Sequence, residues 1–272
     1  MFSHIFCNSS RHLKRWENSF YILLKWKNHG IWYKADYTGY EGLAEYVISH
    51  LLIKSSLSEE EYVLYDPEQI KYKAKIYSGA KSKDFLQTGW QIITLERLFQ
   101  NFFGRSLYQS IFKIRDHKER MIFIVNQVER LTGLTEFGKY LNKLFTIDAF
   151  FLNEDRHTHN IAVLMNNNGA FAYCPIFDNG AGLLADTIMD YPLGEDIYEL
   201  MDSVESKTIS NDFDEQLDIS EELYQNNIKF SFTIEDVKEL LKHAEIYSEE
   251  ERKRVEQVIR FQIRKYQNLF GK

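Results

Sequence analysis

The sequence predicts an α+β fold in two lobes: strand-type patterns crowd its first third, helix-type patterns fill most of the rest, and its composition suits a compact body. Apolar residues make up 44% and aromatics 15% of the 272 residues, which excludes disorder, and three prolines leave little room for long flexible linkers. No repeat or low-complexity tract suggests an array. The expected division is a small β-rich N-lobe over 1–95 and a larger, mainly helical C-lobe over 96–272, with the boundary near 90–105.

Residues 19–26 (SFYILLKW) are rich in β-formers, Asn28, His29 and Gly30 signal a turn, and 31–35 (IWYKA) resumes an extended alternation, so a hairpin is expected. Over 42–54, Leu43, Val47 and Leu51 recur at helical spacing with Ile48 and Leu52 beside them, which predicts an amphipathic helix. Strands are expected at 62–65 and 72–77, a turn at 78–83 (SGAKSK), and a helix over 94–103 after a break at Gly89 and Trp90. Leu141, Leu144, Phe145, Phe151 and Leu152 then mark a buried helix that delivers the chain to Asn153. IAVLM and AFAYCPIF flank an asparagine- and glycine-rich turn at 166–169 and predict a second hairpin. Thr233 with Asp236, and Ser248 with Glu251, have capping-box spacing ahead of helical runs, the last ending near Phe270. Trp16, Trp26, Trp32 and Trp90 are expected to pack in the core or between lobes.

Two cysteines, Cys7 and Cys174, are too few and too far apart for a disulfide framework. No run is long and apolar enough for a signal peptide or a membrane span, so a soluble, cytoplasmic protein is expected. The formal charge of −7 provides no general attraction for nucleic acid, which calls for a basic face. Thirteen carboxylates lie within 186–222 against one base, Lys207; the tract reads either as a solvated surface or as a dock for a basic partner segment.

The chemistry concentrates in 153–161, NEDRHTHNI, followed 23 positions after Asp155 by Asp178 in FDNG. Phosphoryl transfer needs a carboxylate to orient an incoming hydroxyl and accept its proton, and hard oxygen ligands to hold Mg²⁺ against a polyphosphate. Asp155, Asn160 and Asp178 supply that set: the five-residue loop can aim Asp155 and Asn160 at one point, and the hairpin returns Asp178 to the same edge. His157 and His159 lack companions at zinc-ligand spacing, and His157 is read as a brace for the loop.

The order Asp-Arg-His with Asn three residues on resembles the catalytic loop of HipA-like bacterial serine/threonine kinases and of phosphatidylinositol kinases, the reverse of the His-Arg-Asp order in ordinary protein kinases. The segment IWYKADYTGYEGLAEYVISHLL also resembles the small lobe of shorter HipA-like proteins, so the likeness covers most of Ser19 to Gly182. It implies a two-lobed protein-kinase-like fold, ATP and Mg²⁺ as cofactors, and transfer of the γ-phosphoryl group to a Ser or Thr hydroxyl of a protein, in a toxin or effector that can phosphorylate itself. By the same likeness Lys34 contacts the ATP phosphates and Glu45 pairs with it; Glu41 is the rival, and Glu45 is preferred because Leu51 and Leu52 follow it at the family's spacing. The segment ahead of the hairpin, CNSSRHLKRWEN, has no glycine for a phosphate-covering loop, although Ser9 and Ser10 can offer amides and hydroxyls beside Asn8, Arg11 and Lys14. The family places a regulatory autophosphorylated serine in that region. The chain is shorter than full-length HipA-like kinases, which implies that their extra N-terminal subdomain is absent or separately encoded, as an antitoxin partner would be. A lipid or small-molecule kinase is the alternative enzyme, weakened by the lack of a basic amphipathic helix. A nucleotide-binding pseudokinase scaffold is the alternative without catalysis.

Overall fold

The computed structural model describes residues 24–271. Cys7, Asn8, Ser9, Ser10, Arg11, Lys14, Trp16 and most of the expected strand at 19–26 lie outside the described residues.

The chain opens with β1 (Lys25–Asn28) and β2 (Ile31–Ala35), joined by His29 and Gly30, both at positive φ, as a two-residue hairpin turn requires. Helix α1 (Glu41–Leu52) follows, then β3 (Tyr65–Tyr72) and β4 (Lys75–Lys83). The four strands form one antiparallel sheet in the order β1-β2-β4-β3, and Pro67 is tolerated because β3 is an edge. Three sequence expectations change here. The second strand pair is longer and shifted, turning at Lys73 and Ala74; Tyr62 instead bridges to Ile176. The expected turn at 78–83 is part of β4. Gly79 marks a close approach rather than a turn, since a Cβ there would lie 2.2 Å from the Lys34 carbonyl oxygen. Helix α1 is buried on nearly every face, Glu45 and Ser49 included, because it is sandwiched between the sheet and a C-terminal helix.

Residues after the Gly89 break form β5 (Trp90–Thr94), which pairs with β6 (Ala162–Asn166), itself paired with β7 (Phe171–Tyr173), all antiparallel. Asn166 holds the β6–β7 turn by accepting from the Asn168 and Ala170 N–H groups, and Gly169 supplies the positive φ. Between β5 and β6 lie α2 (Leu95–Phe103), capped by Thr94, then α3 (Leu107–Ile111), α4 (His117–Thr132) and the buried α5 (Phe137–Phe151). After β7 come α6 (Ile197–Ser203), α7 (Phe213–Tyr224), α8 (Ile234–Lys242) and α9 (Glu249–Lys265); α8 and α9 carry the expected capping boxes.

Parts of the acidic tract have local partners. Asp196 and Asp212 cap α6 and α7, and Glu215, Glu222 and Asp214 pair with His117, Lys118 and Lys265. One hydrophobic core runs from α1 through α5 to α9 and is built from phenylalanine, leucine, isoleucine and valine. Trp26, Trp32 and Trp90 lie half-buried on the strands rather than in the core, which corrects that part of the expectation for them: Trp32 keeps its indole N–H at the rim to reach Asp84. Among the described residues no helix is long and apolar enough to cross a membrane.

Candidate active site

Lys34 leaves β2 with its side chain only 13% exposed. Its Nζ donates to Asp178 Oδ1 at 2.7 Å and to Glu45 Oε1 at 3.3 Å. Glu45, fully buried on α1, uses its other oxygen to accept from the Asn179 N–H at 2.9 Å. One carboxylate thus joins β2, α1 and the turn at 178–180. Glu41 is engaged elsewhere: it accepts from the N–H groups of Tyr37, Thr38 and Gly39 and from the Thr38 hydroxyl, closing the loop ahead of α1.

Asp178 adopts a left-handed backbone, φ 60, which Asp tolerates better than most residues. Gly180 follows where a Cβ would stand 3.2 Å from Lys34 Nζ. Burial alone would lower the Lys34 pKa, but the Asp178 and Glu45 carboxylates outweigh it and hold the ammonium well above its ordinary value. Lys34 in turn holds Asp178 well below the carboxylate range against the effect of burial, with Lys25 and Arg156 adding to it. In Glu45 burial wins over Lys34, and its pKa is raised.

Asp155 and Asn160 stand on the loop after α5. Asn160 Nδ2 donates to the Asp155 carbonyl at 2.7 Å and to Asp155 Oδ2 at 2.9 Å, which fixes the two side chains relative to each other. The Asp155 carboxylate is 56% exposed. His157 donates its backbone N–H to the Asp155 carbonyl and places Nε2 3.6 Å from Asp155 Oδ1, while its ring meets the His159 ring edge-on.

Arg156 turns inward. Its Nε donates to Asp148 of α5, and its Nη1 to the carbonyls of Phe177 and Asn160 at 3.1 and 3.3 Å, so the loop bearing Asp155 and Asn160 abuts the strand end bearing Asp178. Sequence reasoning missed Asp148 and Asn179. The available signal was Asp148 itself, a lone acid in the apolar run IDAFF of a helix read as buried.

A small apolar cluster separate from the main core, Val63, Tyr65 and Ala80 with Phe85 and Phe177, lies beside this site. Ala80 is the cross-strand partner of Lys34, and Phe177 directly precedes Asp178.

A sheet bearing a lysine, a helix bearing its glutamate, and a helical body bearing the loop and turn together form a kinase-like fold. A crystal structure of the Helicobacter pylori proinflammatory kinase CtkA is similar, with a TM-score of 0.61 over 97% of this chain and 95% of that chain, at 16% sequence identity. No family model and no curated protein matches the sequence.

Proposed function

We propose that the chain is an ATP- and Mg²⁺-dependent kinase of HipA-like type, with an N-lobe over 1–95 and a C-lobe over 96–272, that transfers the γ-phosphoryl group to a Ser or Thr hydroxyl of a protein. The observation that carries this reading is the contact of Lys34 with both Glu45 and Asp178, beside a loop in which Asp155 is locked to Asn160. Lys34, held in place by Glu45, steadies the polyphosphate. The partly buried Phe85 and Phe177 of the small apolar cluster would offer a nucleobase an apolar wall. Asp155 is exposed enough to meet an acceptor hydroxyl, and it orients that group and takes its proton as the phosphoryl group moves.

The residues fit a magnesium ion: Asp178 offers carboxylate oxygen, and Asn160, with its amide nitrogen committed to Asp155, offers its amide oxygen. Bound there, Mg²⁺ supplies positive charge against the phosphate oxygens. Asn160 and Asp178 would hold it, while His157 braces the loop through Asp155. The Ser/Thr protein substrate, an antitoxin or separately encoded subdomain and phosphorylation at Ser9 or Ser10 rest on the resemblance of the DRHTHN loop to HipA-like kinases, and a cytoplasmic setting rests on the sequence having no signal-peptide-like or membrane-spanning run.

Purified protein incubated with γ-labelled ATP and Mg²⁺, alone and with cell lysate, is expected to transfer label to protein, with phosphoserine or phosphothreonine identified by mass spectrometry. Absence of both label transfer and calorimetric ATP binding would overturn the reading.

A further inference from the structure

We propose that Arg156 is a positioning residue that sets the spacing between Asn160 and Asp178 through their backbones, with Asp148 fixing its guanidinium; this rests on the kinase reading above. Arg156 is 2% exposed and Asp148 fully buried. Every nitrogen of the guanidinium is used, and the partners fall on both sides of the site. Nε donates to Asp148 Oδ1 and Oδ2 at 3.2 and 3.0 Å. Nη1 donates to the Asn160 carbonyl and to that of Phe177, the residue before Asp178; Nη2 donates to Asn179 Oδ1, on the residue after it, at 2.7 Å. A single rigid, planar group therefore spans both backbones that carry the proposed metal-binding oxygens.

The fork is itself held from two directions. Asn153 Nδ2 donates to Asp148 Oδ1 at 2.8 Å, and the Thr208 hydroxyl donates to the Arg156 carbonyl. Stability alone does not call for this arrangement, because apolar side chains of similar volume commonly replace a buried ion pair at no cost. Apolar packing cannot supply directional donors to two carbonyls and an amide oxygen at once. Lysine cannot either: it keeps the charge opposite Asp148 but is a point donor without the fork.

The test compares ADP binding with and without Mg²⁺ by calorimetry, alongside thermal unfolding, for the parent, Arg156→Lys and Asn179→Ala. Outer partners of a metal site typically change metal affinity about 10–100-fold when removed. The expected result is that Arg156→Lys loses about 10-fold or more of the Mg²⁺-dependent gain in ADP affinity, while metal-free ADP binding, which makes no use of the metal-binding oxygens, is unchanged. Asn179→Ala, which deletes the Nη2 contact alone, should shift the same quantity less and lower the melting temperature less than Arg156→Lys does. Equal loss with and without metal, or no change in either variant, would overturn the positioning role. Should Arg156→Lys not fold, Asn179→Ala decides alone. A parent protein that binds ADP without any Mg²⁺ dependence sinks the metal assignment and this proposal together, a result distinct from a normal parent with normal variants.

Discussion

Glu45 is fully buried, and its carboxylate is partnered by Lys34 and the Asn179 N–H. Removing one member of such a set leaves the other buried without its complement, so the losses overlap. Lys34→Met and Glu45→Gln are each expected to weaken ATP binding, and the double variant to lose less than the sum, with a coupling of about 0.5–3 kcal/mol measured by calorimetry. Strict additivity would separate the two residues. Asp36, half-buried in the loop ahead of α1, accepts from the Gly42 N–H at 2.6 Å. Burial and the neighbouring Glu41 charge push its pKa up to about 7, against the Gly42 N–H, which favours the charged form. A raised acid pKa means that the folded state keeps a proton the unfolded chain has already released. Its contribution to stability therefore falls as pH rises from about 4 to about 7. Asp36→Asn retains an acceptor for Gly42 and cannot ionise. It should melt higher than the parent at about pH 8 and close to the parent at about pH 4; an equal difference at both pH values would remove the titration of Asp36 as the cause.

At the scale of elements, the site depends on how closely β2, β4 and α1 approach one another. Gly79 of β4 and Gly42 of α1 meet there, and a Cβ on Gly42 would lie 2.5 Å from the Gly79 carbonyl carbon. Gly79→Ala would press on the Lys34 carbonyl, so it is expected to cost about 1–3 kcal/mol of stability in denaturant unfolding and to raise the KM for ATP by displacing Lys34. A variant as stable as the parent would mean that the strands can separate without consequence. Helix ends were the most legible elements. Thr233 and Ser248 accept from the backbone N–H three residues on, as their capping-box spacing implied, because a cap is complete within four residues. Strand β5 was not legible: WQIIT becomes a strand by pairing with β6, more than sixty residues away.

Across the whole molecule, Phe150 gathers Phe151, Phe230, Phe232, Tyr266 and Phe270, with ring centroids 4.8–6.1 Å away. Phe150→Ala should cost about 3–5 kcal/mol. Because α1 and this aromatic cluster share one core, the sheet and the helices are expected to unfold together. Trp26, Trp32 and Trp90 all lie on strands, so their fluorescence, read in a Trp16→Phe background, follows the sheets while far-UV circular dichroism follows the helices. Coincident transitions in the parent, shifted equally by Phe150→Ala, are the expected outcome; a fluorescence transition unmoved by the substitution would show that the sheets melt apart from the helices.

The sequence by itself determined what is local: the β1–β2 and β6–β7 turns, the capping boxes, the buried α5, and the loop in which Asp155 and Asn160 hydrogen-bond each other. Each of these is completed by residues a few positions apart, so spacing is enough to read it. Only the tertiary structure decided that Lys34 meets Glu45 while Glu41 closes its own loop, that Gly79 belongs to a strand, and that Asp148 anchors Arg156. Lys34 and Asp178 are 144 positions apart. Which carboxylate faces an ammonium at that separation is settled by exclusion of water and by close packing, which the order of residues does not specify.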